Sequence, residues 1–230
     1  MSRARGHDLT HRAKIAPLDA EAFRREADVS RETLARLARY LELLGKWTQA
    51  INLVAKSTLE DPWRRHFLDS AQLYDLLPPK PADRDRVLVD LGSGAGFPGL
   101  VLAIMGAGTT HLIESDRRKA AFLREAARAT DTDVTVHDRR IEAVPPFATD
   151  VVVARACAPL DRLLAYATPF LRPGGAAATR CLFLKGRRVD EELTVANKAW
   201  KLSVTCFPSR ADSAGTVLSI GVNSLDATRS

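Results

Sequence analysis

The chain has 230 residues, is 46% hydrophobic and 27% charged, and carries a net charge of +6. That suffices for one large domain, or one domain with a small extension. No run reaches the roughly 18 continuous apolar residues of a membrane helix, and the basic start "MSRARGHDLTHRAKIAP" lacks the apolar stretch of a secretory signal.

Residues 1–17 read as a mobile tail and residues 18–80 as an N-terminal helical extension. Within it Leu34, Leu37, Leu41 and Leu44 recur at steps of three and four, one face of a helix starting near Ser30. Asp61-Pro62 reads as the start of another helix, an N-cap residue before proline, turning Phe67, Ala71 and Tyr74 inward and ending at Pro78-Pro79. The linker "PPKPADRD" (78–85) sets the boundary of a second domain, 81–230. There strands and helices alternate. "RVLVDL" (86–91), "HLIES" (111–115), "VTVH" (134–137), "VVVAR" (151–155) and "CLFLKG" (181–186) read as strands, and 98–106, 117–130 and 159–171 as helices. "RPGG" (172–175) closes the last helix, and "KLSVTCF" and "TVLSIGV" read as two final strands. The expected fold is α/β, a mostly parallel Rossmann-like sheet with helices on both faces.

Cys157, Cys181 and Cys206 are odd in number and widely spaced, which offers neither a disulfide framework nor a CxxC metal site. A cytoplasmic monomer without a metal is the expectation. The basic balance suits a polyanionic partner through counterion release, and ordinary solubility explains it equally well.

The sharpest motif is "LVDLGSGAGFPGL" (88–100), a glycine-rich turn directly after an apolar strand. Such a turn lets a ligand approach backbone N–H groups at a sheet's switch point. Gly92, Gly94 and Gly96 follow the G-x-G-x-G spacing, Asp90 precedes them, and Glu114 closes the next strand 24 residues later. An acid at that strand end is placed to hold the ribose hydroxyls of an adenosine. An acid before the loop disfavours a pyrophosphate and suits an amino group, so S-adenosylmethionine is expected rather than NAD. Among substrates, "VPPF" (144–147) lacks the polar first residue of amino-group methylases and reads as a turn. Cys157 reads as a small buried residue rather than a pyrimidine-attacking nucleophile. What remains is an atom already nucleophilic, such as guanine N7, which needs alignment more than a base.

The chain resembles the RsmG family (glucose-inhibited division protein B), guanine-N7 methyltransferases of 16S ribosomal RNA. The resemblance covers about residues 30–188. It rests on the glycine stretch with "INLVA" (51–55), "RHFLDSAQL" (65–73), "LIESDRRKAAFLREAAR" (112–128), "RRIEAV" (139–144), "ARACAPL" (154–160) and "FLKG" (183–186). It implies a class I methyltransferase with an N-terminal helical extension, S-adenosylmethionine as cofactor, and 16S ribosomal RNA or the small subunit as partner. Carried over by motif, cofactor contacts fall on Gly92, Phe97, Ile141, Glu142 and Arg155, and Arg155 is also the candidate catalytic residue. Arg64 and Arg65, with His66 beside them, and Lys185, Arg187 and Arg188 are candidate RNA phosphate contacts; for the first group a solvated face or a bond to Asp69 is an equal alternative. A small-metabolite methyltransferase and a non-catalytic RNA-binding assembly factor are the alternatives.

Overall fold

A computed structural model describes residues 16–172 and 179–225. Most of the expected tail, and the Pro-Gly-Gly of "RPGG", lie outside the described residues.

The chain opens with helix α1 (Ala20–Glu26), whose first turn is capped by the Asp19 carboxylate on the Ala22 N–H. Helix α2 (Arg31–Ala50) begins at Ser30, whose hydroxyl accepts from the Thr33 N–H; Leu34, Leu37, Tyr40, Leu44 and Thr48 form its buried stripe. A 3₁₀ turn follows at Lys56–Glu60.

The next segment departs from the regular helix expected after Asp61-Pro62. It is a widened π-helical turn, Trp63–Leu68, running into a short helix α3 (Asp69–Ala71) and a 3₁₀ turn at Tyr74–Leu76. Asp61 does not cap it; its carboxylate receives the Leu18 N–H and the Arg64 guanidinium instead. The wide turn lets Trp63, His66, Phe67 and Leu68 all face inward, more than one α-helical stripe can bury. Tyr74 is only half-buried.

Five strands, β1 (Val87–Leu91), β2 (Thr109–Glu114), β3 (Val134–Asp138), β4 (Val151–Arg155) and β5 (Arg180–Lys185), pair in parallel. The hairpin β6 (Trp200–Pro208) and β7 (Thr216–Leu225) joins antiparallel through β7, giving the order β3-β2-β1-β4-β5-β7-β6. The crossovers carry α4 (Gly99–Ile104), α5 (Arg117–Ala129) and α6 (Leu160–Ala167). A further helix, α7 (Val189–Ala196), was not expected; of its residues only Ala196 is fully buried, so its sequence shows little apolar periodicity.

Successive side chains of β1 serve opposite faces. Val89 and Leu91 pack with Leu160 and Leu163 of α6, whereas Leu88 packs with Leu102 of α4. Phe23, Leu37, Tyr40, Leu44 and Phe67 share one buried cluster with Phe97, Leu100, Phe122 and Leu123, so the N-terminal helices cover α4 and α5 directly. The linker is tied down by a two-pronged ion pair, Arg84 to Asp150, at 2.6 and 2.7 Å. Because β1 pairs in parallel with both β2 and β4, their carboxyl ends share one edge, where chain direction leaves β1 on both sides.

Candidate active site

The glycine loop leaves β1 at that edge with φ of +68° at Gly92, +56° at Gly94 and +93° at Gly96. A Cβ on Gly92 would lie 2.5 Å from the Cys157 sulfur, and one on Gly96 would lie 2.6 Å from the Tyr40 hydroxyl. Both positions therefore demand glycine for handedness and for space. The Tyr40 hydroxyl donates to the Ala95 carbonyl, so the N-terminal extension fixes the loop's shape.

Asp90 lies beneath the loop with no exposed surface, and its Oδ2 accepts the Gly99 N–H at 3.0 Å. It lines neither neighbouring cavity, which corrects the expectation of a direct ligand contact: it ties the loop to the start of α4. Burial pushes its carboxyl up to about 7. Phe97 is likewise a support. Its buried ring stacks on Tyr40 and His66 at centroid distances of 5.2 and 4.9 Å.

A cavity of about 330 Å³ opens beside the loop, lined among others by Gly92, Glu114, Ile141, Glu142, Cys157 and Tyr166. Of the expected cofactor residues, Gly92, Glu114, Ile141 and Glu142 line it. Gly94, Gly96, Phe97 and Asp90 shape it from behind, and Arg155 belongs to the next cleft. Glu114 is held at both oxygens, by the Gly94 N–H at 2.8 Å and the Asp116 N–H at 2.7 Å. Cys157, Arg162 and Tyr166 were not anticipated here; Arg162 and Tyr166 come from α6, a helix legible in the sequence whose cavity-facing side is set by its packing on the sheet. Burial raises the Cys157 thiol, which suits packing rather than nucleophilic attack. In "VPPF", Val144 is buried and Phe147 packs on His111, so that stretch is structural.

A second cleft, about 430 Å³, lies on the other side of Arg155–Ala158. Its walls include Leu53 and Thr58 from the extension, Arg65, His66 and Asp69, Arg155 at the end of β4, and Asp212 from the β6–β7 loop. Arg155 Nη1 reaches the Arg65 carbonyl at 3.3 Å, His66 Nδ1 at 3.2 Å and Asp69 Oδ2 at 3.4 Å, and its guanidinium sits 4.7 Å from the Phe97 ring centroid. The salt-bridge partner is thus Asp69. Burial, then the Arg155 charge, pushes His66 down to about 3, so the ring is neutral and can accept from Arg155. His66 Nε2 lies 2.8 Å from the Thr58 hydroxyl. His66 is buried, so it is no surface phosphate contact.

The expected RNA contacts divide. Arg187 and Arg188 are exposed, the latter paired with Glu191. Arg65 is exposed at the cleft and pairs with Asp212 at 3.1 Å. Arg64 is engaged with Asp61 and the Ala16 carbonyl. Lys185 is corrected outright: its side chain is 5% exposed and donates to Glu192 at 2.7 Å and to the Ala158 carbonyl at 2.8 Å. Glu192 also accepts the Leu160 N–H, so the pair braces the turn between β4 and α6. Lys185→Ala is therefore expected to cost about 3–5 kcal/mol of stability, because it strands a partly buried carboxylate. Urea denaturation checks this; a variant of unchanged stability with weakened RNA binding would return Lys185 to the RNA surface.

Five parallel strands extended by an antiparallel hairpin in this order, with a glycine loop after β1 and an acid closing β2, define the class I S-adenosylmethionine-dependent methyltransferase fold. Solved structures share it: a mutant of MtNAS in complex with S-adenosylmethionine (TM-score 0.54, 16% identical, 89% of this chain and 84% of that one), and a ribosomal protein L11 methylase from Lactobacillus delbrueckii subsp. bulgaricus (TM-score 0.52, 17% identical, 67% and 79%). The family model for rRNA small subunit methyltransferase G, GidB, matches residues 33–212. The chain is 57% identical over 201 residues to the ribosomal RNA small subunit methyltransferase G of Rhodospirillum rubrum, covering 87% of this chain and 96% of that protein. It belongs to the rRNA small subunit methyltransferase G family.

Proposed function

We propose that the protein uses S-adenosylmethionine to methylate N7 of a guanine in the RNA of the small ribosomal subunit. The observation that carries this reading is the pair of cavities flanking Arg155–Ala158, one built for an adenosine and the other walled by a guanidinium. The first fits the cofactor by its donor set: the Glu114 carboxylate stands where a ribose would lie, with apolar Ile141 beside it. When bound, S-adenosylmethionine supplies an electrophilic methyl group on a sulfonium.

The chain's own task is alignment. Guanine N7 carries no proton, so no general base is needed, and neutral His66 is too weak a base to serve as one. Three contacts hold Arg155 by Nη1, leaving Nε and Nη2 without a bonded protein partner among the described residues. A guanidinium so held can donate to O6 of the base and leave the neighbouring N7 lone pair free. In this reading residues 81–230 are the catalytic domain, and residues 18–80 roof the substrate cleft through Leu53 and Thr58. Arg65, Arg187 and Arg188 would meet phosphate. The protein would work as a cytoplasmic monomer.

Mapping N7-methylguanine in ribosomal RNA from cells with and without the gene tests the function. Loss of one small-subunit site supports it; an unchanged map favours a metabolite substrate or a non-catalytic assembly role. Glu114→Ala is expected to weaken S-adenosylmethionine binding about 10- to 150-fold, the loss of hydrogen bonds to a charged acceptor. Calorimetric titration reads it, and an unchanged dissociation constant would remove Glu114 from the ribose.

A further inference from the structure

We propose that Asp212 is the specificity residue for the target base, its carboxylate accepting hydrogen bonds from N1–H and the N2 amino group of guanine across the cleft; this rests on the guanine-N7 reading above. The argument begins with the shape of a purine. N7 and O6 share one edge, and N1–H and N2–H₂ share the Watson–Crick edge, which adjoins the first at O6 and faces about a right angle to it. A guanine that turns N7 and O6 toward Arg155 therefore presents N1–H and N2–H₂ to a side wall of the cleft.

One wall of the cleft comes from the β6–β7 loop, with Ala211, Asp212 and Gly215. β4 and β7 are separated by β5 alone, two strand spacings or about 9.6 Å. Arg65 links the two walls: its carbonyl accepts from Arg155, and its own guanidinium holds Asp212.

Among the described residues two acids line the cleft, and exposure separates them. Asp69 is mostly buried, with Oδ1 on the Gln72 amide at 3.1 Å and Oδ2 on Arg155 at 3.4 Å. Asp212 is 45% exposed at its side chain; Oδ1 takes the Ala214 N–H at 2.9 Å and Oδ2 takes Arg65 at 3.1 Å. Among the described residues each oxygen accepts a single bond, and the exposed carboxylate has room for a further donor. The Ala214 N–H and Arg65 hold this carboxylate low, hence ionised and an acceptor only. The loop that presents it is fixed in advance, since Gln72 accepts the Arg210 N–H at 2.9 Å and donates to Ser209 at 3.2 Å. Adenine would set its N1 lone pair against the carboxylate, an unpaired and repulsive contact. A base drawn out of its stack is read on its Watson–Crick edge in this way.

The test compares small-subunit RNA carrying guanosine at the mapped position with the same RNA carrying inosine, which keeps N7, O6 and N1–H but lacks the N2 amine. For the wild-type protein the inosine substrate should lose about 10- to 150-fold in kcat/KM. In Asp212→Asn that penalty should shrink to within about threefold, with guanosine itself slowed and S-adenosylmethionine affinity unchanged. An equal inosine penalty in wild type and Asp212→Asn overturns the proposal. So does a wild type indifferent to inosine, a measurement that stands even if the variant fails to fold. If wild type transfers no methyl to guanosine N7, the parent reading falls and takes this inference with it. Normal N7 transfer without the inosine effect overturns this inference alone.

Discussion

Arg155→Ala is expected to lower kcat/KM for methyl transfer about 10²–10³-fold, the usual consequence of removing one preorganised donor from a reacting centre. Three contacts from the extension and the Phe97 ring fix this guanidinium at the end of β4, and it lines the substrate cleft rather than the cofactor cavity. The cost to the fold should be small. Burial already raises the Asp69 carboxyl against the pull of Arg155, so loss of that partner raises it further and makes protonation easier, which softens the cost of leaving a charge unpaired. The melting temperature should drop by a few degrees at most, and S-adenosylmethionine affinity should change little. Arg155→Lys should rescue poorly, because an ammonium cannot hold three partners through one nitrogen and present two others. Activity within tenfold of wild type in a folded Arg155→Ala protein would assign Arg155 to the fold alone.

The sheet was legible because its signals are local. Val151–Val153 is a short apolar run and Leu88–Leu91 is apolar but for Asp90, and both form strands as the pattern predicts. The glycine loop is equally local, since handedness and the approach of an acid 24 residues on are readable in one strand–turn–helix unit. The cluster around Arg155 is not. Asp69 and His66 stand 86 and 89 residues from Arg155, and only the packing of the extension on the sheet brings them together. Lys185 was misread for the same reason, because its exposure depends on α7, a helix too weakly amphipathic to announce itself. The π-helical turn failed differently: Trp63, His66, Phe67 and Leu68 are all buried, so no single period describes them. Asp90 shows the subtlest limit. An acid before a glycine loop suggests a ligand, whereas the fold spends its carboxylate on the Gly99 N–H.

That use of Asp90 has a consequence in the pH dependence of stability. The carboxyl is fully buried, its Oδ1 has no hydrogen-bond partner among the described residues, and burial raises it to about 7 from an ordinary 3.8. Below about pH 4 the group is protonated in folded and unfolded chains alike and exerts no pH-dependent effect. Between pH 4 and 7 the unfolded chain ionises while the folded one holds its proton, so stability falls as pH rises. Above pH 7 both states are ionised and the loss levels off. A shift of about three units corresponds to about 4 kcal/mol. Asp90→Asn keeps an acceptor for the Gly99 N–H and removes the titration. Its amide hydrogens inherit the unpartnered position, a constant penalty of about 1–3 kcal/mol that does not vary with pH. The informative quantity is therefore the slope: between pH 4 and 8 the wild type should lose about 4 kcal/mol more than Asp90→Asn, read from urea denaturation at several pH values. Parallel stability curves would mean that Asp90 is ionised throughout, its buried charge compensated by Arg155, whose field already acts to lower it.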